Sequence, residues 1–178
     1  MKNLIFIVVV SAVYTACTGT TTASKEENEN AATASSSSIS FPYTADYSSK
    51  ISRGSDSNAL LVLNSYKAWE TGDMSALANS LADSVEMIFG NGSHVSATRD
   101  SIMTMAKNFR DSLSSVKIKM GVWEPVHSQD KGDDAVLVWY SETDTYKNGK
   151  VDSADYHEVN GVKDGKITFI ESYRRTKK

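Results

Sequence analysis

The chain has 178 residues, with 19 Lys or Arg against 22 Asp or Glu and a formal charge of -3. Neutralising a phosphate backbone takes a basic face, so this balance argues against nucleic acid as a partner, and the basic ending from Arg174 to Lys178 reads as a short solvated tail. A single cysteine, Cys17, excludes an internal disulfide.

Lys2 precedes an apolar run from Leu4 to Val10, extended weakly through Val13. A bilayer span takes about 20 apolar residues, so this run is too short to cross and reads as the core of an export signal. The segment Val13-Tyr14-Thr15-Ala16-Cys17 is similar to a bacterial lipobox, where small residues lead into a cysteine. That resemblance implies removal of residues 1–16, acylation of Cys17 and attachment to the membrane through lipid. Thr18 stands where an inner-membrane retention signal carries Asp, which implies the outer membrane of a bacterial cell envelope. Ordinary signal cleavage after Ala23, with Cys17 incidental, is the alternative.

Residues 17–57 are dominated by Ser, Thr, Ala, Asn and charge, including Ser35-Ser36-Ser37-Ser38. Such a composition buries too little apolar surface to offset chain entropy, and predicts a flexible tether. Phe41-Pro42-Tyr43 and Tyr47 interrupt it, either docking on the domain or standing as isolated apolar residues. Residues 58–178, roughly 120 in all, are enough for one domain with a real core.

In chain order, Ala59 to Thr71 carries Leu60, Leu63, Tyr66 or Lys67 and Trp69 near one helical stripe, and Gly72 stops it. Asp73 is placed to cap a second helix, Met74 to Ala82. Val85 to Phe89 reads as a strand, Gly90-Asn91-Gly92 as a turn and His94 to Ala97 as the returning strand. Thr98 caps a third helix, Arg99 to about Leu113, with Ile102, Met105 or Ala106, Phe109 and Leu113 as its buried stripe.

The rest reads as strand. Val116, Ile118, Met120 and Val122 alternate with Lys117, Lys119 and Gly121, and Pro125 suggests an edge or a bulge. Trp123 shares parity with the two lysines, which puts it on the outer sheet face unless a bulge near Pro125 resets it. Ala135 to Thr145, Val151 to Val162 and Ile167 to Arg174 follow, separated by Lys147-Asn148-Gly149-Lys150 and Lys163-Asp164-Gly165-Lys166 turns. The expected class is α+β: three helices packed on a strongly curved, mostly antiparallel sheet.

This order resembles the nuclear transport factor 2-like superfamily, and its SnoaL-like branch in particular. The matching residues are Trp69 with Gly72-Asp73, Leu77, Leu81-Ala82-Asp83, Thr98-Arg99-Asp100-Ser101-Ile102 and Asp164-Gly165-Lys166-Ile167. The resemblance implies a cone whose open end admits a small ligand, often with dimerisation through the sheet. Fold of this kind hosts varied chemistry and does not fix function. Against ketosteroid isomerases of the same superfamily, the position of the proton-abstracting Asp falls on Phe89, and that of the helix-one Tyr on Ser65. A phenyl ring cannot take a proton, which argues against that chemistry here. Tyr66 is adjacent to Ser65 but points about 100° around the helix. The remaining isomerase acid falls on Glu158 or on His157, depending on turn length; Glu158 is favoured because Tyr156, Asn160 and Val162 then share its face.

Glu158 and His157 are therefore the catalytic candidates. They are adjacent on a strand and face opposite ways, so only one of them reaches a pocket. Tyr66, Trp69, Phe89, Trp139, Tyr156 and Asn160 are the ligand-binding candidates. His94, His127 and His157 show no ligand spacing, so no metal is expected, and no cofactor motif is present. The leading expectation is binding of a small apolar or amphipathic molecule, or of a partner protein, without catalysis. The alternative is a small cofactor-free lyase or isomerase using Glu158 or His157 with Tyr66 or Tyr156. Catalysis requires a second acid-base group within reach of Glu158 in the same void; binding alone does not.

Overall fold

The computed structural model describes residues 40–177, so the export segment and Cys17 lie outside the described residues. The described chain places three helices on a seven-stranded sheet. Strand β1 (Ile51–Arg53) leads into α1 (Asp56–Thr71), α2 (Met74–Ser80), β2 (Leu81–Ile88), β3 (His94–Thr98) and α3 (Arg99–Asp111). Four long strands follow: β4 (Leu113–Ser128), β5 (Asp134–Tyr146), β6 (Val151–Lys163) and β7 (Lys166–Thr176).

Local chemistry sets the helix ends. Ser55 in extended backbone caps α1, its hydroxyl accepting from the Ser57 amide at 3.2 Å. Gly72, at φ 78°, closes the other end in the left-handed region that a side chain disfavours. The Asp73 carboxylate accepts from the Ala76 amide at 2.9 Å to start α2, and Thr98 caps α3.

The sheet order is β1-β4-β5-β6-β7-β2-β3. Every pairing is antiparallel except β2 with β7. Val62 from α1 packs against Val85, Val136, Val138 and Ile167 from the sheet, and each is at most 1% exposed. Side chains on a strand alternate between faces, so Val136 and Val138 assign all even-numbered β5 positions to the helix-covered face. The cone expected of this element order is the fold observed.

Several details differ from the sequence expectation. The stretch from Phe41 belongs to the compact unit rather than to a tether reaching residue 57. Ile51 to Arg53 pair with Val126 to Ser128, Ser48 bonds Asp130 at 2.5 Å, and the Tyr47 hydroxyl donates to Asp133. Strand β2 begins at Leu81, because Leu81 pairs with Ile167 on β7 and is drawn out of the preceding helix. One irregularity in β4 falls between Leu113 and Ser115, and the one nearer Pro125 falls at Gly121, between Met120 and Val122. A Cβ on Gly121 would lie 2.9 Å from the Trp139 carbonyl oxygen, so the bulge needs glycine there. Pro125 pairs with Val136 and directs its carbonyl to the Gly54 amide at 2.8 Å, so its missing N–H faces the β1 side and costs the β5 ladder nothing. The bulge brings Trp123 opposite Val138, on the helix-covered face, where it is 46% exposed.

Candidate functional site

Between the helices and the sheet lies a cavity of ≈ 400 Å³. That is ample for a small organic molecule, since ligand pockets run from about 300 to 1,000 Å³. Its upper wall is apolar, from Leu77 on α2, Met87 on β2, and Met103, Met105 and Phe109 on α3. The exposure of Met105 (42%) and Phe109 (43%) marks the open end of the cone. The stripe read as core on α3 is thus split: Ile102 is buried, Met105, Ala106 and Phe109 line the cavity, and Leu113, also buried, begins β4. Trp69 stacks on Phe109, with ring centroids 6.0 Å apart and planes 5° from parallel, and joins α1 to α3 there.

The polar floor comes from three neighbouring strands in register. Tyr140 lies opposite Tyr156, and Glu158 lies opposite Ser172. Two residues along β6, Asn160 takes the same face. Tyr66 of α1 reaches down to this floor, and its hydroxyl donates to Glu158 Oε2. Ser172 donates to Glu158 Oε1, and Asn160 Nδ2 donates to the Tyr66 oxygen at 3.1 Å. Asn160 is 1% exposed, and its amide can only donate to an oxygen whose own proton goes elsewhere. The network therefore has one direction: Asn160 to Tyr66 to Glu158. The rings above it are tightly set, Tyr66 edge-on to Tyr140 at 5.0 Å and Tyr140 stacked on Tyr156 at 5.0 Å.

Burial raises the Glu158 pKa, and the hydroxyls of Ser172, Tyr66 and Tyr140 oppose that rise by stabilising the carboxylate. Burial and then the Glu158 charge hold the Tyr66 and Tyr140 hydroxyls protonated well above their ordinary range. A second acid, Glu142 on β5, faces the same cavity at 9% exposure. Burial, then the charges of Asp144 and Glu158, push its carboxyl up to about 8, against the pull of Trp69 and Arg110. At neutral pH Glu142 is thus mostly a neutral acid, able to donate a hydrogen bond. Arg110 of α3 spends Nε on the Trp69 carbonyl (3.2 Å) and Nη2 on the Glu70 carbonyl (3.3 Å), closing the C-terminus of α1.

Of the residues singled out from sequence, Tyr66, Trp69, Phe89, Tyr156, Glu158 and Asn160 all stand on the cavity wall. Trp139 and His157 do not. Both occupy the opposite face of the sheet, because each is one residue out of phase with the inward set. There Trp139, His157 and Tyr173 stack in a row across β5, β6 and β7, at 4.4 and 5.8 Å. Neighbouring α1 positions take different roles. Ser65 turns its hydroxyl back to the Val62 carbonyl at 2.7 Å, while Tyr66 supplies the cavity hydroxyl. An apolar stripe some 100° wide lets consecutive helix positions serve one cavity.

Sequence reasoning passed over Glu142 and Ser172. The signal for Glu142 was its even parity with Val136, Val138 and Tyr140, which places an acid on the buried face of an interior strand. Among the described residues, no group of three His, Cys, Asp or Glu side chains is arranged to hold a metal ion.

Comparison with known proteins bears on the same region. The model of the SnoaL-like domain matches residues 62–170. A putative polyketide cyclase from Xanthomonas campestris pv. campestris is similar in structure, at 22% identity over 66% of this chain and 90% of that one, with a TM-score of 0.53. An LEH-like epoxide hydrolase from M. tuberculosis is 17% identical over 67% of this chain and 84% of that one, with a TM-score of 0.57. An NTF2-like protein of unknown function from Exiguobacterium sp. 255-15 is 15% identical over 65% and 98%, with a TM-score of 0.55. At these identities the likeness is one of fold. No curated protein sequence matches.

Proposed function

The chain belongs to the SnoaL-like domain family, and from that footing we propose that its cone holds a small, largely apolar molecule on which Glu158 and Tyr66 transfer a proton. The observation that carries this reading is the directed hydrogen bond from Tyr66 to Glu158 inside the cavity. Catalysis requires a second acid-base group in reach of Glu158, and Tyr66 is that group. A carboxylate in an apolar chamber is a stronger base than in water, and a hydroxyl beside it can carry the proton to or from an oxygen of the ligand. Lyase and isomerase steps, in which a proton leaves a carbon beside a carbonyl, need no more equipment than this. Binding without reaction is the second reading, favoured by the engagement of both Glu158 oxygens by hydroxyls.

Native mass spectrometry of the purified chain identifies a copurified molecule, and incubation with Glu158→Gln then separates the readings. Loss of turnover at unchanged affinity supports proton transfer. Unaltered product formation by Glu158→Gln overturns it.

The domain is proposed to be anchored at the bacterial outer membrane by lipid on Cys17, with Lys2, the Leu4–Val10 run and the Val13–Cys17 segment as support. A second copy of the chain is proposed as the partner of the outer sheet face. In support, that face carries Trp139 (40% exposed), Tyr173 (55%) and Val122 (56%).

A further inference from the structure

The charge of the cavity wall is one-sided. Glu142 and Glu158 face the void, and among the described residues no Lys, Arg or His lines it. The rest of the floor is aromatic: Tyr66, Trp69, Tyr140 and Tyr156 present rings or ring edges to the same space.

Glu142 is the less satisfied of the two acids. Glu158 accepts from Tyr66 and Ser172, whereas the Trp69 indole and the Arg110 charge only partly offset the burial of Glu142. Asp144, the next inward residue on β5, is 7% exposed, and its Oδ1 has no hydrogen-bond partner. The cations facing these acids are already engaged. Arg110 from α3 caps the α1 carbonyls, and Arg174 from β7 pairs with Asp152 of β6 at 2.7 Å and donates to the Tyr156 hydroxyl at 3.1 Å. The side chains brought by α1, Tyr66 and Trp69, are neutral. Positive charge is therefore missing from the void itself.

We propose that the ligand of this cavity is an amphipathic amine, whose apolar body fills the cone and whose protonated nitrogen seats against Glu142 among the aromatic rings. An ammonium group is attracted to the faces of Trp and Tyr rings, more strongly where water is excluded. Its desolvation is offset only by a carboxylate in direct contact. Glu142 supplies that carboxylate by giving up its proton as the cation arrives, so binding at neutral pH releases a proton to solvent. A neutral alcohol of the same shape can take a hydrogen bond from Glu142 but gains no ion pair and no cation–ring attraction, and a carboxylate ligand meets two acids. The inference rests on the cavity being a ligand site and is independent of whether a reaction follows.

The test is isothermal titration of the full chain at pH 7 with 3-phenylpropylamine, 3-phenylpropanol and 3-phenylpropanoate. Phosphate and Tris buffers, which differ in ionisation enthalpy, reveal proton release. The amine is expected to bind at least about tenfold more tightly than the alcohol, a gap of about 1.4 kcal/mol. It is also expected to release a proton on binding, and to lose its advantage in Glu142→Gln. Near-ultraviolet circular dichroism checks the fold of that variant, and the three-ligand comparison on the unaltered chain stands without it. Equal binding of alcohol and amine overturns the amine while leaving a ligand cavity, and an amine preference that survives in folded Glu142→Gln overturns Glu142 as its seat. Failure of all three to bind overturns the amine and the cavity reading together.

Discussion

Tyr66 on α1 and Glu158 on β6, 92 residues apart in the chain, share a hydrogen bond within the cavity. The bond ties the helix layer to the sheet at the floor of the cone, and both ends are buried. Tyr66→Phe removes the hydroxyl and nothing else. It leaves Glu158 Oε2 without its Tyr66 donor and Asn160 without one of its acceptors. The expected cost is about 1–3 kcal/mol of stability, the penalty for an unsatisfied buried polar group. Urea unfolding at pH 7 measures it, and a midpoint equal to that of the unaltered chain contradicts the assignment.

Glu142 makes stability fall as pH rises. Its carboxyl ionises near 4.5 when exposed and near about 8 in the fold. Between those values the folded chain binds the extra proton, so stability is greatest below the lower value and declines until the upper one is passed. At about 1.4 kcal/mol for each tenfold, the decline is several kcal/mol at most, spread across that window. Glu142→Gln cannot ionise and removes this part of the slope. Unfolding midpoints at pH 5 and pH 9 are expected to differ less in the variant, with its relative gain at pH 9.

The two proposals, a cavity ligand and a second copy on the outer face, fall on opposite faces of β6. His157→Ala is expected to leave cavity ligand binding unchanged, because His157 faces away from the cavity. Trp139→Glu places a charge in the Trp139–His157–Tyr173 row and is expected to weaken self-association in sedimentation experiments. A change in ligand affinity without a change in association would reverse the assignment of faces.

Cys17→Ser is expected to shift the protein from the membrane fraction to the soluble fraction of cells. Unchanged fractionation would mean that Cys17 carries no anchor.

The helices were legible because their punctuation is local: Gly72, Asp73 and Thr98 act on the next few residues. The inward face of β6 was only partly legible: turn length left His157 and Glu158 both open, and Glu158 was favoured because Tyr156, Asn160 and Val162 share its parity. Glu142 was harder, since β5 begins with apolar residues at both parities and gives no face to an acid that follows. Trp123 was left open between the two faces, and a bulge decides it inward by reversing the parity after Gly121, four residues before Pro125. Strand β1 was invisible because three residues amid serines carry no period, and their pairing is decided by a β4 segment more than 70 residues away. The reach of Tyr66 depended on the width of the space above the sheet, which no helical wheel contains.

The sheet order has a consequence for biogenesis. Strand β7, the last of the described strands in chain order, is an interior one, flanked by β6 and β2. A polypeptide emerging amino end first cannot close this sheet until β7 has been made. A premature stop after Lys163 would strand the β2–β3 hairpin with no neighbour to zip against, and no chamber would form around what remains.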